Sequence, residues 1–254
     1  MLIKKRDCVP LPYQQLILKM KNLLLASTST VYGSDYLEYL LPELQIHFKD
    51  CTTLLFIPYA RPGGITHEEY TAKVALAFAK IKIAVKGIHE YANPVEAVQN
   101  ASGIFTGGGN TFVLVSQLYK NQLMEVLAQK LKSGTPYLGT SAGSNIAGLT
   151  IQTTNDMPIV YPPSFQTLGM IPFNLNPHYI NSDGPENHMG ETREDRIKEF
   201  HAFNSIPVIG LREGSWLDIK RDAIVLKGNL NARLFRQNQE PEELESGSDL
   251  RFVK

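Results

Sequence analysis

The sequence predicts an α/β protein with a doubly wound, mostly parallel sheet. Short apolar runs without polar alternation recur between Asn22 and Gly139, as strands covered on both faces require. Segments of helical periodicity separate them, a β-α-β-α rhythm that places helices on both sides of the sheet. The 254-residue chain is 43% hydrophobic and 20% charged, enough for one domain with a sizeable core.

The elements follow in order. Asn22–Ser27 (NLLLAS) is a buried strand. Ser34 caps a helix carrying Leu37, Leu40, Leu41 and Leu44, which Pro42 kinks or splits. Thr53–Pro58 is the second strand. Thr66 and Glu69 form a capping box for a helix bearing Val74, Ala77, Phe78 and Ile81. Lys82–Ile88 is a third strand, and Asn93-Pro94 starts the helix PVEAVQNA. Gly103–Thr106 is a short strand, and the GGGNT after it opens a helix with Phe112, Val115 and Leu118. A helix with Leu123, Val126, Leu127 and Leu131 stops at Gly134, and strand Pro136–Gly139 delivers the chain to Ser141.

Beyond residue 149 the rhythm changes. Pro and Asn are dense through 150–190. A helix spans Thr192–Phe203, followed by strands Pro207–Leu211, Trp216–Lys220, Ala223–Leu226 and Ala232–Phe235, a C-terminal β-hairpin region with a turn at Lys227-Gly228-Asn229. Without repeat or linker, residues 20–238 form a single domain. Residues 1–19 are expected to be a loosely held extension, and the acidic tail 239–254 a solvated surface segment.

Lys plus Arg and Asp plus Glu both count 25. This balance argues against nucleic acid or an anionic membrane held by bulk charge. A charged substrate must then be read by a local residue. The two cysteines, Cys8 and Cys51, form no disulfide framework or zinc spacing, as expected in a reducing cytoplasm. No apolar run nears the roughly 20 residues of a spanning helix, and the N-terminus lacks a signal-peptide h-region.

Gly139-Thr140-Ser141-Ala142-Gly143 is a G-x-S-x-G. A serine there sits on a sharp strand-to-helix turn, with backbone N–H groups of the new helix ready for an oxyanion. The bland alternative is a serine N-cap. Among the bases, His178 in NLNPHYI follows Pro177 in an irregular stretch and ranks ahead of His188. His47 and His67 are expected on the surface, and His201 on a helix. Two acids compete to orient the base. Asp156 lies in TTNDMP, with a turn or cap as its structural alternative, and Glu213 follows strand Pro207–Leu211. Gly107-Gly108-Gly109-Asn110 matches no phosphate-loop pattern, and glycine N–H groups aimed at an oxyanion explain it without a cofactor. Asp156 and His178 follow Ser141 too closely for an α/β-hydrolase, whereas the strands before Ser141 fit a flavodoxin-like sheet.

GGGNTF, GTSAGSNIA, TIQTTNDMPIV, NPHY, HMGETREDRIKEF and IGLREGSW, in this order and spacing, resemble peptidase E, the aspartyl dipeptidase family. The resemblance spans most of the chain from Met20 to the mid-230s. It implies the class I glutamine amidotransferase-like three-layer fold and a cytoplasmic, serine-dependent, metal-free hydrolase of dipeptides with N-terminal aspartate. Motif by motif, Ser141 falls on the nucleophile and His178 on the base. Asp156 and Glu213 both fall on residues discussed as the third triad member. Arg193 falls on the arginine that pairs with the aspartyl carboxylate. The oxyanion donors are then Ala142 and Gly108 or Gly109. A monomer or homodimer needing no cofactor is expected. The rivals are a cyanophycinase-like peptidase cleaving aspartyl–arginine linkages and a non-enzymatic binding protein on this fold. Serine in place of cysteine argues against glutamine amidotransfer.

Overall fold

The computed structural model describes residues 20–181 and 190–253. The large sheet has seven strands. β1 (Asn22–Ala26), β2 (Thr53–Ile57), β3 (Ala84–Gly87), β4 (Ile104–Thr106) and β5 (Tyr137–Thr140) run parallel in the order β3-β2-β4-β5-β1. A small sheet collects β6 (Asn174–Pro177), β7 (Val208–Leu211), β10 (Ala232–Phe235) and β11 (Glu242–Leu244) in the order β11-β10-β7-β6. The intervening hairpin, β8 (Ser215–Lys220) and β9 (Ala223–Gly228), extends the large sheet antiparallel beyond β1.

The strands are apolar on both faces because helices cover both. Along β1, Leu24 and Ala26 join one core with Leu44 of α1 (Leu41–His47) and Tyr70, Val74 and Phe78 of α2 (His67–Ala79). Leu23 and Leu25 point the other way. They share a core with Val98 of α3 (Pro94–Asn100), Leu114 and Leu118 of α4 (Thr111–Lys120), and Leu127 and Leu131 of α5 (Leu123–Lys132). Each fully buried leucine contributes about 1.5–3 kcal/mol, so the alternation along one strand fastens two layers. A short helix, α6 (Ala142–Asn145), follows β5, and α7 (Arg193–His201) packs Ile197 with Val208 and Phe235 of the small sheet.

Several elements depart from the sequence reading. The helix expected to start at Ser34 begins later. Leu37 turns through φ 59°, a 3-10 turn spans Glu38–Leu40, and Pro42 sits in the first turn of α1. There a proline's missing N–H costs nothing, so it starts the helix rather than kinking it. Strand β6 replaces the irregular stretch expected there, because its Asn and Pro suppress the strand signal in the sequence. Residues 239–254 do not form a wholly solvated tail. β11 pairs with β10, and Leu244, Leu250 and Val253 are buried. His47, expected on the surface, is buried with Nε2–H donating to the Tyr137 carbonyl at 3.1 Å. Among the described residues, no helix is long and apolar enough to cross a membrane. The extension 1–19 and His188 lie outside the described residues.

Candidate active site

Ser141 joins β5 to α6 with φ 52° and ψ −110°, a backbone conformation disfavoured for any L-residue. The turn is over-determined. The Ser141 N–H donates to the Ala26 carbonyl at 3.1 Å, and its carbonyl accepts from Ser144 and Asn145 at 2.9 Å each. The buried Ser144 hydroxyl bonds the carbonyls of Ala26 and Gly139. Gly143 lets α6 close down on β4, because a Cβ there would collide with the Thr106 carbonyl. The G-x-S-x-G is therefore a packing requirement of this turn, and the turn lifts Oγ out at the C-terminal edge of the sheet.

His178 follows β6, also left-handed at φ 55°. Its N–H donates to the Ser27 hydroxyl at 2.8 Å, and that hydroxyl donates to the Leu211 carbonyl at 2.7 Å. Ser27 ends the NLLLAS run and is fully buried. It links the large sheet to both strands that deliver the base and its acid. Its sequence signal is a lone serine closing the apolar run NLLLAS.

The imidazole spans two partners. Nε2 lies 2.9 Å from Ser141 Oγ, and Nδ1 lies 2.6 Å from Glu213 Oε1. A carboxylate only accepts, so Nδ1 carries the proton and Nε2 presents its lone pair to the serine O–H. Glu213 stands between β7 and β8, followed by Gly214 at φ 88°. Its charge reaches two neighbours. Burial raises the pKa of Tyr39, and the Glu213 charge adds to that rise. Burial lowers the pKa of Arg193, and the same charge opposes the fall.

Asp156, the other candidate acid, is not on the imidazole. Its Oδ2 accepts from the Thr111 N–H at 2.7 Å, the Thr111 hydroxyl at 2.6 Å and the Thr154 hydroxyl at 3.1 Å. Thr111 opens α4, so Asp156 satisfies a free N–H at a helix N-terminus, where negative charge is favoured. Asn145 of α6 donates to the Thr111 hydroxyl at 3.1 Å, tying the serine helix to the same knot.

The glycine loop leads into α4 beside the serine. A Cβ on Gly108 would lie 3.1 Å from Ser141 Cβ. Gly109 holds φ 146°, with the Ala60 carbonyl where a side chain would start. The N–H groups of Gly108 and Gly109 have no acceptor among the described residues. The Ala142 N–H is one of the orphan donors of α6. Arg193, the first residue of α7, donates Nη1–H to the Pro177 carbonyl at 3.3 Å, one residue before His178. The acids adjacent in sequence are engaged elsewhere, Glu191 with Arg196 and Glu194 with Lys198 and Arg233. Among the described residues the half-buried Arg193 guanidinium faces no paired carboxylate.

The sequence matches the peptidase family S51 over residues 23–227. It is 48% identical to peptidase E of Streptomyces coelicolor over 90% of this chain and 93% of that protein. It is 43% identical to a probable alpha-aspartyl dipeptidase of Drosophila melanogaster over 92% of this chain and 97% of that protein. Two crystal structures share the fold. A peptidase from an acI-B1 Actinobacterium has a TM-score of 0.69 at 17% identity, covering 91% of this chain and 96% of its own. A putative peptidase E protein of Listeria monocytogenes has a TM-score of 0.64 at 21% identity, covering 83% of this chain and all of its own. The chain belongs to peptidase family S51.

Proposed function

We propose that the protein is a serine dipeptidase that hydrolyses dipeptides with an N-terminal aspartate, using Ser141, His178 and Glu213. The observation that carries this reading is the unbroken line from Ser141 Oγ through the imidazole to the Glu213 carboxylate. His178 Nε2 takes the hydroxyl proton as Oγ attacks the peptide carbonyl carbon. The N–H groups of Ala142 and of Gly108 or Gly109 hold the oxyanion. Collapse of the adduct breaks the C–N bond, and His178 returns the proton to the departing amine. Water, deprotonated by the same nitrogen, then cleaves the acyl-enzyme and releases aspartate. Glu213 fixes the tautomer and stabilises the imidazolium. Asp156 holds the loop that carries the oxyanion donors.

Arg193 reads the aspartyl carboxylate through a bidentate, charge-assisted pair. Its half-buried guanidinium, held at the Pro177 carbonyl and without a carboxylate partner among the described residues, supports this role, and the Drosophila melanogaster relative named a probable alpha-aspartyl dipeptidase supports an aspartyl substrate. The triad comes from one chain, so a monomer or a homodimer is equally able to act. A free, buried Cys51 and the low cysteine count support a reducing cytoplasmic location.

The test is a panel of Asp-Leu, Glu-Leu, Ala-Leu, Leu-Asp and β-Asp-Arg, measured on the wild type and on Arg193→Met. Asp-Leu is expected to be the best substrate. Arg193→Met should lower kcat/KM for Asp-Leu about 100-fold and leave Ala-Leu unchanged within about threefold. An Arg193→Met enzyme that still prefers Asp-Leu as strongly as the wild type would remove Arg193 from this role. A wild type that prefers β-Asp-Arg would replace the dipeptidase reading with the polymer-cleaving one.

A further inference from the structure

We propose that Tyr70 is a positioning residue for the oxyanion site, and that its hydroxyl orients and polarises the peptide joining Gly108 to Gly109. The proposal rests on the serine-peptidase reading above. Tyr70 lies on α2, far from Ser141 in sequence, and is 1% exposed. Its O–H donates to the Gly108 carbonyl at 3.3 Å.

A peptide is planar, so fixing its C=O fixes the direction of the N–H at its other end. That N–H belongs to Gly109 and has no acceptor among the described residues. The bond at 3.3 Å is long for O–H···O, which leaves room for it to tighten. As an oxyanion draws on the Gly109 N–H, the Gly108 oxygen becomes more negative and a better acceptor. Hydrogen bonds in a chain strengthen one another in this way. The gain therefore appears in the transition state more than in substrate binding, which lowers kcat when it is lost and spares KM.

The hydroxyl is placed from all sides. The Phe56 ring meets Tyr70 edge to face with centroids 4.9 Å apart. The Arg61 guanidinium lies 5.1 Å from the Tyr70 ring centroid. Tyr36 lies 3.5 Å away, oxygen to oxygen, and burial raises its own pKa well above the usual phenol value. The Tyr36 O–H points at the Tyr70 oxygen, which leaves the Tyr70 proton for the Gly108 carbonyl. Gly107 completes the fit, because a Cβ there would sit 2.6 Å from the Tyr70 hydroxyl. Glycine at 107 is explained by this hydroxyl, and not by any direct contact with the reacting atoms.

The experiment compares Asp-Leu hydrolysis and melting temperature for wild type, Tyr70→Phe, Tyr36→Phe and Gly107→Ala. Tyr70→Phe keeps the ring and should lower kcat about tenfold, with KM within about twofold and melting within a few degrees. Tyr36→Phe, one bond further out, should lose less than about threefold. Gly107→Ala disturbs the same bond from the other side and should also lower kcat without raising KM, so a poorly folding Tyr70→Phe would not decide the matter alone. A Tyr70→Phe kcat within twofold of wild type would overturn the proposal. So would a loss confined to KM, which marks a substrate contact, or equal losses from Tyr36→Phe and Tyr70→Phe. A wild type inactive on every Asp-X dipeptide would instead sink the peptidase reading on which the proposal stands.

Discussion

Two side chains at this site occupy backbone conformations that L-residues rarely adopt, Ser141 at φ 52° and His178 at φ 55°. Each costs on the order of 1–3 kcal/mol and persists because hydrogen bonds from other elements hold it. Ser141 and His178 were both legible in the sequence, one from its G-x-S-x-G and the other from the proline before it. The acid was not. Asp156 and Glu213 are both carboxylates near loop turns, and spacing along the chain does not say which carboxylate meets an imidazole. The geometry separates them by partner, an imidazole for Glu213 and a helix N-terminus for Asp156. Their substitutions should separate likewise. Glu213→Gln is expected to lower kcat at least about 100-fold with little change in melting, because the tautomer is no longer held. Asp156→Asn should cost about 1–2 kcal/mol of stability through the lost charged cap, with the smaller loss of kcat. Turnover and thermal melting of both variants check this, and the reverse ranking of kcat would make Asp156 the orienting acid.

At the scale of elements, the parallel strands were readable because burial on both faces removes polar residues from them. β6 was not, because its sequence NLNP spends two positions on asparagines with structural work. Asn174 braces Thr150 by two hydrogen bonds, and Asn176 reaches the Thr153 carbonyl and Asn155. α1 shows the converse, a histidine where the pattern suggested a surface end. Burial lowers the pKa of His47 to about 4, and its bond to the Tyr137 carbonyl only partly offsets this. The folded state thus binds its proton less readily than the unfolded chain, whose histidine titrates near 6.5. Between these values the unfolded state holds more protons, so stability rises with pH across the window and falls on acidification. The loss should approach about 3 kcal/mol by pH 4. His47→Gln keeps a donor for Tyr137 and should flatten that slope. Chemical denaturation at pH 7 and pH 4.5 measures it, and an unchanged slope in the variant would place the acid sensitivity elsewhere.

Across the whole molecule, the site forms where two sheets meet. The large sheet supplies the glycine loop after β4, the serine after β5 and Ser27 after β1. The small sheet supplies His178 from the end of β6. Glu213 lies on the stretch by which the chain leaves β7 for β8, crossing from one sheet to the other. Fold class and the large sheet were legible because they depend on repeated apolar runs. The seam was not, because it depends on single polar contacts between segments far apart in sequence, such as Ser27 with His178 and Leu211. By our proposal, this seam makes Ser141 the nucleophile for an Asp-X bond. The most direct measurement is the steady-state rate of Asp-Leu hydrolysis by wild type and Ser141→Ala at matched stability. Ser141→Ala is expected to lose at least about 10⁴-fold in kcat. Turnover by Ser141→Ala within about tenfold of wild type would contradict it.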